Sequence, residues 1–420
     1  MDRRAAQSLL FALVLALPLG AARSETIKIA YIDPLSGMMA ATGDHGLREL
    51  QFQVERINAK GGANGQKFEV VPMDNKLSPQ ESLALLNRAV DEGIHYVFQG
   101  NGSSVAGALI DGINKNNERN PDKRVVFLNY AAVDPDFTNS KCSFWHFRFD
   151  ANSDMKLQAI TDTMVGKKDI KKVYIIGQDY SFGHQVSKTA KELIKQKRPD
   201  VEIVGDELHP LAKVKDFAPY VAKIQAAGAD TVVTGNWGSD LALLIRAARD
   251  AGLKANFYTF YAGVVGAPVA IGEAGIDRVK VVSYYAPNDA PKKTVDEIEA
   301  FKKKYGPTED PYTTSMAHAM ELLTMAMNET KSADPAKVAK AMEGKKFQGH
   351  FGEIEMRKDD HQMIQPLYVA TFAKVDGKKV KFPADGTKEF GFKTDVKIEA
   401  AKTALPTTCQ MQRPQVSANP

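Results

Sequence analysis

Lys172-Val173-Tyr174-Ile175-Ile176-Gly177 is an apolar run closed by a glycine, and Gly183–Lys197 after it carries helical patterning. The alternation then continues. Val201-Glu202-Ile203-Val204 reads as a strand, Phe217–Ala227 as a helix and Thr231-Val232-Val233-Thr234 as a strand. Asp240–Ala251 reads as a helix and Phe257-Tyr258-Thr259-Phe260 as a strand. Strands that are apolar throughout are buried on both faces, and strands alternating with helices of about 10–15 residues are the units of a parallel sheet. The stretch predicts a doubly wound α/β layer with helices on both sides.

The same rhythm is present upstream. Ile27–Ile32 is a strand, then come a turn with Pro34 and Gly37 and a helix over Gly43–Ala59, where Leu47, Leu50, Val54 and Ile57 recur at helical spacing. Gly61-Gly62 stops that helix. Lys67–Asp74 is a second strand, Ser78 caps the next helix and Pro79 opens it. Tyr96–Gln99 and Val125–Leu128 are further strands. Two such series in one chain imply two doubly wound parallel-sheet lobes rather than one large sheet. From Val295 onward the sequence offers a charged helix through Phe301–Tyr305, an apolar helix over Thr313–Met327 and a strand pair at Gly352–Met356 and Leu367–Phe372. These cannot form a third domain with its own core, so they are expected to complete the two lobes.

Arg3 and Arg4, the apolar run Leu9–Leu19 and the small residues Gly20-Ala21-Ala22 stand in the order of a secretory signal peptide, expected over residues 1–24. The run is too short for a bilayer, which takes ~20 apolar residues, and no cysteine follows it to carry a lipid. The expectation is an exported, periplasmic chain of roughly 395 residues. Net charge is +4, and removing Asp2, Arg3, Arg4 and Arg23 leaves about +2, too near neutral for a nucleic acid or a membrane surface as partner. The two cysteines, Cys142 and Cys409, read first as one disulfide in an oxidising compartment, and otherwise as two separate buried thiols. No Cys or His stands at metal-ligand spacing beside either.

Ile29-Ala30-Tyr31, Leu35-Ser36-Gly37, Gly43, Ile57-Asn58-Ala59-Lys60-Gly61-Gly62, Gly65 and Gln178-Asp179-Tyr180-Ser181-Phe182-Gly183 together carry a resemblance. With the serines after strand three and the loop Ala131-Ala132-Val133-Asp134-Pro135, they resemble the type I periplasmic binding proteins of the leucine/isoleucine/valine class. These are the substrate-binding subunits of ABC importers, and the likeness covers about Thr26–Phe372. It implies two lobes joined by three hinge crossovers, near Arg148–Ala151, Ser283–Pro287 and Met356–Pro366, closing around a ligand in the cleft. Residues 25–148 with 286–360 would form one lobe and 149–285 with 361–405 the other, and 406–420 would be a tail tied back by the disulfide. It also implies no catalysis, no cofactor and no metal, a small-molecule ligand, a membrane permease as partner, and a monomer.

The candidate site follows from the strand ends. Ser103 and Ser104 open the helix that runs to Ile113, where hydroxyls and free first-turn N–H groups suit a carboxylate; the alternative is that a serine merely caps the helix. Ala131, Ala132 and Val133 follow the fourth strand. The family usually ends this run with a threonine that helps to hold a ligand ammonium, and here Val133 stands instead. After Phe260, where amino-acid binders of the family usually place an acid, stands Tyr261. A buried ammonium needs acceptors, so these two departures point to a ligand without an amino group. Phe182, Trp237 and Tyr261 fall at strand-to-helix junctions of the second lobe, where ring faces can stack on a flat body; the alternative is that they are core residues. Tyr180, Asp179 and Thr42 are further candidates for a ligand hydroxyl, and His184 and His209 read as surface or capping residues.

Cys142-Ser143-Phe144-Trp145-His146-Phe147-Arg148-Phe149 alternates as a strand leading into the first crossover. With the late cysteine it resembles the branch of the family that takes hydroxybenzoates and hydroxycinnamates. A benzoate- or cinnamate-like carboxylate is therefore the expected ligand, with a branched-chain amino acid or an amide or urea as the alternative. A hydrolase is disfavoured: no Gly-x-Ser-x-Gly surrounds Ser103 or Ser104, and there is no His-Glu-x-x-His, P-loop or Gly-x-Gly-x-x-Gly. A sensor domain on the same lobes would need a separate signalling partner.

Overall fold

In the computed structural model the described residues are 26–311 and 314–414. The expected leader (1–24), Thr313 and the end of the expected tail (415–420) lie outside them. The chain opens with β1 (Ile27–Asp33), α1 (Ala40–Ala59), β2 (Phe68–Asp74), α2 (Pro79–Asp91), β3 (Tyr96–Gln99), α3 (Ser103–Arg119), β4 (Val126–Asn129) and β5 (His146–Arg148). The first sheet has the order β2-β1-β3-β4-β5, all parallel. Ser78 accepts the Glu81 N–H at 3.3 Å and so starts α2, a cap that contributes about 1 kcal/mol.

The second series is α4 (Ser153–Met164), β6 (Lys172–Gln178), α5 (Ser181–Lys197), β7 (Glu202–His209), α6 (Ala218–Ala226), β8 (Thr231–Thr234), α7 (Gly238–Asp250), β9 (Asn256–Thr259), α8 (Ala267–Ile271) and β10 (Val279–Ser283). Then follow α9 (Lys292–Tyr305), α10 (Thr314–Thr330), α11 (Pro335–Met342), β11 (Lys346–Gly349), β12 (Gly352–Met356) and β13 (Met363–Ile364). The chain ends with β14 (Leu367–Lys374), β15 (Phe390–Ile398) and α12 (Ala400–Thr403). The second sheet is ordered β15-β14-β10-β9-β8-β6-β7. Its five strands from β7 to β10 repeat the parallel order of the first sheet, and β14 and β15 extend it antiparallel. Met316, Met320, Leu323 and Met327 of α10 pack into the first core, as do Ile354 and Met356, whereas Leu367 and Val369 pack into the second. The chain thus passes between the lobes three times: after β5, after β10 and after β13.

Three readings of the sequence are corrected. Of Cys142–Phe149 only His146–Arg148 is strand, because Ser143 turns the chain first: its hydroxyl accepts the Trp145 N–H at 3.1 Å and its carbonyl accepts the His146 N–H at 3.1 Å. Gly352–Met356 and Leu367–Phe372 do not pair with each other. β12 lies between β11 and β13, and β14 between β10 and β15, one set in each lobe. His209 is neither surface nor cap but fully buried at the end of β7, against Phe217.

Cys142 and Cys409 form a disulfide across 267 residues. Beside it Thr407 Oγ1 donates to Thr138 O at 2.7 Å and Thr408 N to Asn139 Oδ1 at 2.9 Å. Replacing both cysteines by serine should lower the unfolding free energy by about 2–4 kcal/mol, read from urea denaturation. An unchanged midpoint would assign the tail's attachment to these hydrogen bonds alone.

Candidate functional site

A parallel sheet with the order 2-1-3-4-5 has a crevice outside the carboxyl ends of its strands, where the winding reverses. In the first lobe that point lies between β1 and β3, and in the second between β6 and β8. The two crevices face each other across one cavity, lined from the first lobe by Thr42, Asn101, Gly102, Ser103, Tyr130 and Ala131–Val133. Tyr180, Phe182, Trp237, Phe260 and Tyr261 line it from the second.

The first-lobe wall is organised by Asp33, the last residue of β1, which is fully buried. Its carboxylate accepts N–H groups of Gly100 (3.2 Å) and Asn101 (3.0 Å) and the Tyr130 hydroxyl (2.5 Å). Asn101 Nδ2 in turn donates to Tyr130 Oη at 2.8 Å. This network fixes the loop that delivers α3. Gly102 precedes that helix at φ +90°, where a side chain would be strained, and gives α3 no side-chain cap. The first-turn N–H groups at Ser103 are therefore open to the cavity, an arrangement that suits an anion. Burial raises the Asp33 pKa to about 7 against these donors.

The next loop is held from beneath. Asn129 Oδ1 accepts the N–H groups of Ala131 (3.2 Å) and Ala132 (2.7 Å), and its Nδ2 donates to Ala132 O at 2.8 Å. Those backbone donors are spent on the protein. Val133 is buried and packs with Met39, Phe182 and Trp237, and its carbonyl accepts the Ser153 N–H at 3.0 Å.

The second-lobe wall mirrors the first. A Cβ at Gly183 would meet Gln178 O at 1.8 Å, and one at Gly43 would meet Pro34 O at 1.8 Å, so both lobes rely on glycine where a helix start presses on the preceding loop. Tyr180 and Trp237 precede α5 and α7, and neither gives its helix a side-chain cap. Trp237 Nε1 donates to Tyr180 Oη at 2.9 Å. Phe182 lies 6.5 Å from Tyr261, ring centre to ring centre. The lobes are drawn together: Ser239 Oγ on α7 donates to Met38 O before α1 at 3.0 Å.

Near the hinge, Asp150 and Lys156 also reach the cavity, paired at 2.8 Å and both almost wholly buried. Burial pushes the Asp150 pKa up and the Lys156 pKa down, each opposed by the other's charge.

A profile of the family described as periplasmic binding protein matches residues 26–379. The chain belongs to that family. Its relative "Leu/Ile/Val-binding protein homolog 4" from Brucella abortus (strain 2308) is 34% identical over 402 residues, 94% of each chain. The leucine-, isoleucine-, valine-, threonine- and alanine-binding protein from Brucella ovis, solved in a closed conformation, superposes with a TM-score of 0.80 at 33% identity, over 93% of this chain and 100% of that one. The solute binding protein of an ABC transporter from Rhodopseudomonas palustris BisB5, solved in complex with 3,4-dihydroxy benzoic acid, has the same fold with a TM-score of 0.76 at 21% identity, over 89% and 98%.

In this periplasmic binding protein the structure gathers nine of the eleven expected site residues on one cavity. Ser104 is not among them, since one residue past Ser103 the helix has turned it off the wall. Asp179 is turned to solvent, 2.9 Å from His184. Sequence reading missed Asp150, Lys156 and Asp310 on the cavity wall, and Tyr130 as a lining residue. The signal for Lys156 was a lone cation beside Met155 and Leu157, in a segment where no helix was assigned.

Between pH 4 and 7 folded Asp33 retains a proton that the unfolded chain releases, so its contribution to stability falls as pH rises through that window. In thermal melts, Asp33→Asn should therefore become more favourable relative to wild type as pH rises from 4 to 7. A difference independent of pH would show that the carboxyl is already ionised.

Proposed function

We propose that this binding protein captures a small aromatic carboxylate, benzoate- or hydroxycinnamate-like, in the interlobe cleft and delivers it to the permease of an ABC importer. In this reading the chain is made with a cleavable signal peptide, works in the periplasm and acts as a monomer. The observation that carries it is the chemistry of the cavity wall. Open N–H groups of α3 with Ser103 suit a carboxylate, the rings of Tyr180, Phe182, Trp237 and Tyr261 suit a flat body, and Val133 and Tyr261 offer no carboxylate to an ammonium. The Rhodopseudomonas protein with bound 3,4-dihydroxy benzoic acid is an instance of this fold holding such a ligand.

A second reading, a branched-chain amino acid, is favoured by the names of the two Brucella proteins. A thermal-shift screen separates them. A ligand at a hundred times its Kd stabilises by about 2.7 kcal/mol, so benzoate, 4-hydroxybenzoate or 4-hydroxycinnamate should raise Tm by several degrees while leucine, isoleucine and valine do not. A response to the amino acids alone would overturn the aromatic-acid reading.

Closure is tested separately. Ser239→Ala removes one hydrogen bond between the lobes, a net effect of about 0.5–1.5 kcal/mol, so ligand should bind about two- to tenfold more weakly by calorimetry. The ligand-free Tm should stay unchanged. Equal affinity would mean that this contact does not contribute to the closed state.

A further inference from the structure

Among the described residues three charged side chains line the cleft: Asp150, Lys156 and Asp310. Asp310 accepts the Tyr285 hydroxyl at 2.5 Å, and burial raises its pKa to about 6. Lys156 projects from α4 with 2% of its surface exposed, its Nζ 2.8 Å from Asp150 Oδ2. An ammonium has three N–H donors, and among the described residues Asp150 is the only hydrogen-bond acceptor that Lys156 meets. The rest of its surroundings is aromatic: Nζ stands 4.7 Å from the ring centre of Tyr261, 5.9 Å from Tyr284 and 6.0 Å from Phe260. Ring faces stabilise a cation but leave its remaining N–H donors unspent.

We propose that Lys156 is the specificity-determining cation of the cleft, donating to a bound ligand's carboxylate and excluding ligands that bring an ammonium of their own. The inference rests on the aromatic-acid reading above. At this end of the cleft a ligand ammonium would have to share Asp150 with Lys156, leaving two buried cations on one carboxylate, a costly arrangement where water is excluded. The other carboxylate of the wall, Asp310, already accepts the Tyr285 hydroxyl. A ligand carboxylate instead meets the unspent donors of Lys156, and its extra negative charge lies among the uncapped N-termini of α3, α5 and α7. Asp150 then has a definite part: it keeps Lys156 charged and oriented while burial works against that charge.

The test is calorimetry of wild type, Lys156→Met and the double variant Lys156→Met/Asp150→Asn against 4-hydroxybenzoate, benzoate, L-leucine and L-phenylalanine. Wild type should bind the acids and not the amino acids. Lys156→Met should bind the acids at least tenfold more weakly and, with Asp150 released, should gain binding of an amino acid. Unchanged acid affinity in Lys156→Met, without amino-acid binding, would make Lys156 a structural partner of Asp150 and overturn the proposal. If the single variant does not fold, the double variant decides, since it removes both charges together. A tenfold loss of acid affinity there supports the proposal, and wild-type affinity overturns it. A wild type that binds only the amino acids would overturn the aromatic-acid reading itself, and one that binds neither class would overturn both.

Discussion

Arg148 is the last residue of β5, it has no exposed surface, and burial lowers its pKa only to about 10, so a full positive charge sits inside the junction of the two lobes. Such a charge must be satisfied by protein groups. Its donors go to Gln362 Oε1 (2.7 Å), Asp134 O (2.5 Å) and the Thr138 hydroxyl, and its backbone N–H goes to His361 O at 2.9 Å. Gln362 then donates to Asp150 O at 2.8 Å, and Gln365 Nε2 to Phe149 O at 2.7 Å. Two of the three passages between the lobes are thereby tied side by side. That tie fixes where Asp150 stands, hence where Lys156 stands, and it anchors the loop carrying Val133. The cleft inherits its geometry from one buried guanidinium.

Most of the fold could be read from the sequence because its strands are short and apolar on both faces, as in β3 (Tyr96–Gln99) and β8 (Thr231–Thr234), and because glycine, proline and serine punctuate the helices between them. The elements that escaped did so for opposite physical reasons. β15 (Phe390–Ile398) is an edge strand whose lysines and aspartate face solvent, so it shows no buried run. α4 buries eight of its twelve residues, Lys156 included, and leaves outside only the narrow stripe Asp154, Gln158 and Asp162 with Thr163 beside it, so its polar face is thin and interrupted by a buried cation. Leu367–Phe372 was visible as a strand, but one of its partners, β10, lies far upstream in sequence and the other, β15, is the next strand, which itself went unread. Local pattern gives the element and not the neighbour.

The site divides the same way. Positions set by the winding of a parallel sheet, at the ends of β3, β4, β6 and β8, could be located from the sequence, and Ser103, Val133, Phe182 and Trp237 do stand on the cavity wall. Ser104 and Asp179 share those loops, but a single residue of helical turn or one solvent contact with His184 takes them away. Asp150, Lys156 and Asp310 belong to the hinge and to later segments. They meet the cavity only because the lobes come together, a fact written in contacts between distant parts of the chain.

This division bears on how one family serves different ligands. The open helix N-termini are backbone features, and they are held by residues such as Asp33 that stand behind the wall. A chain can therefore keep an anion-receiving frame while side chains at the strand ends and the hinge change freely. Identity of 33–34% with the two Brucella proteins settles the frame, whereas the ligand depends on a handful of side chains that contribute almost nothing to that percentage. In this chain those side chains put a cation, two carboxylates, a valine and a set of aromatic rings that includes Tyr180, Phe182, Trp237 and Tyr261 around the space where the lobes close. With the role proposed for Lys156, discrimination is electrostatic before it is steric. On the reading proposed above, Lys156, buried in a cleft whose helix ends are already positive, makes a second ammonium costly whatever shape carries it, so that ring substitution could vary while the charge of the head group could not.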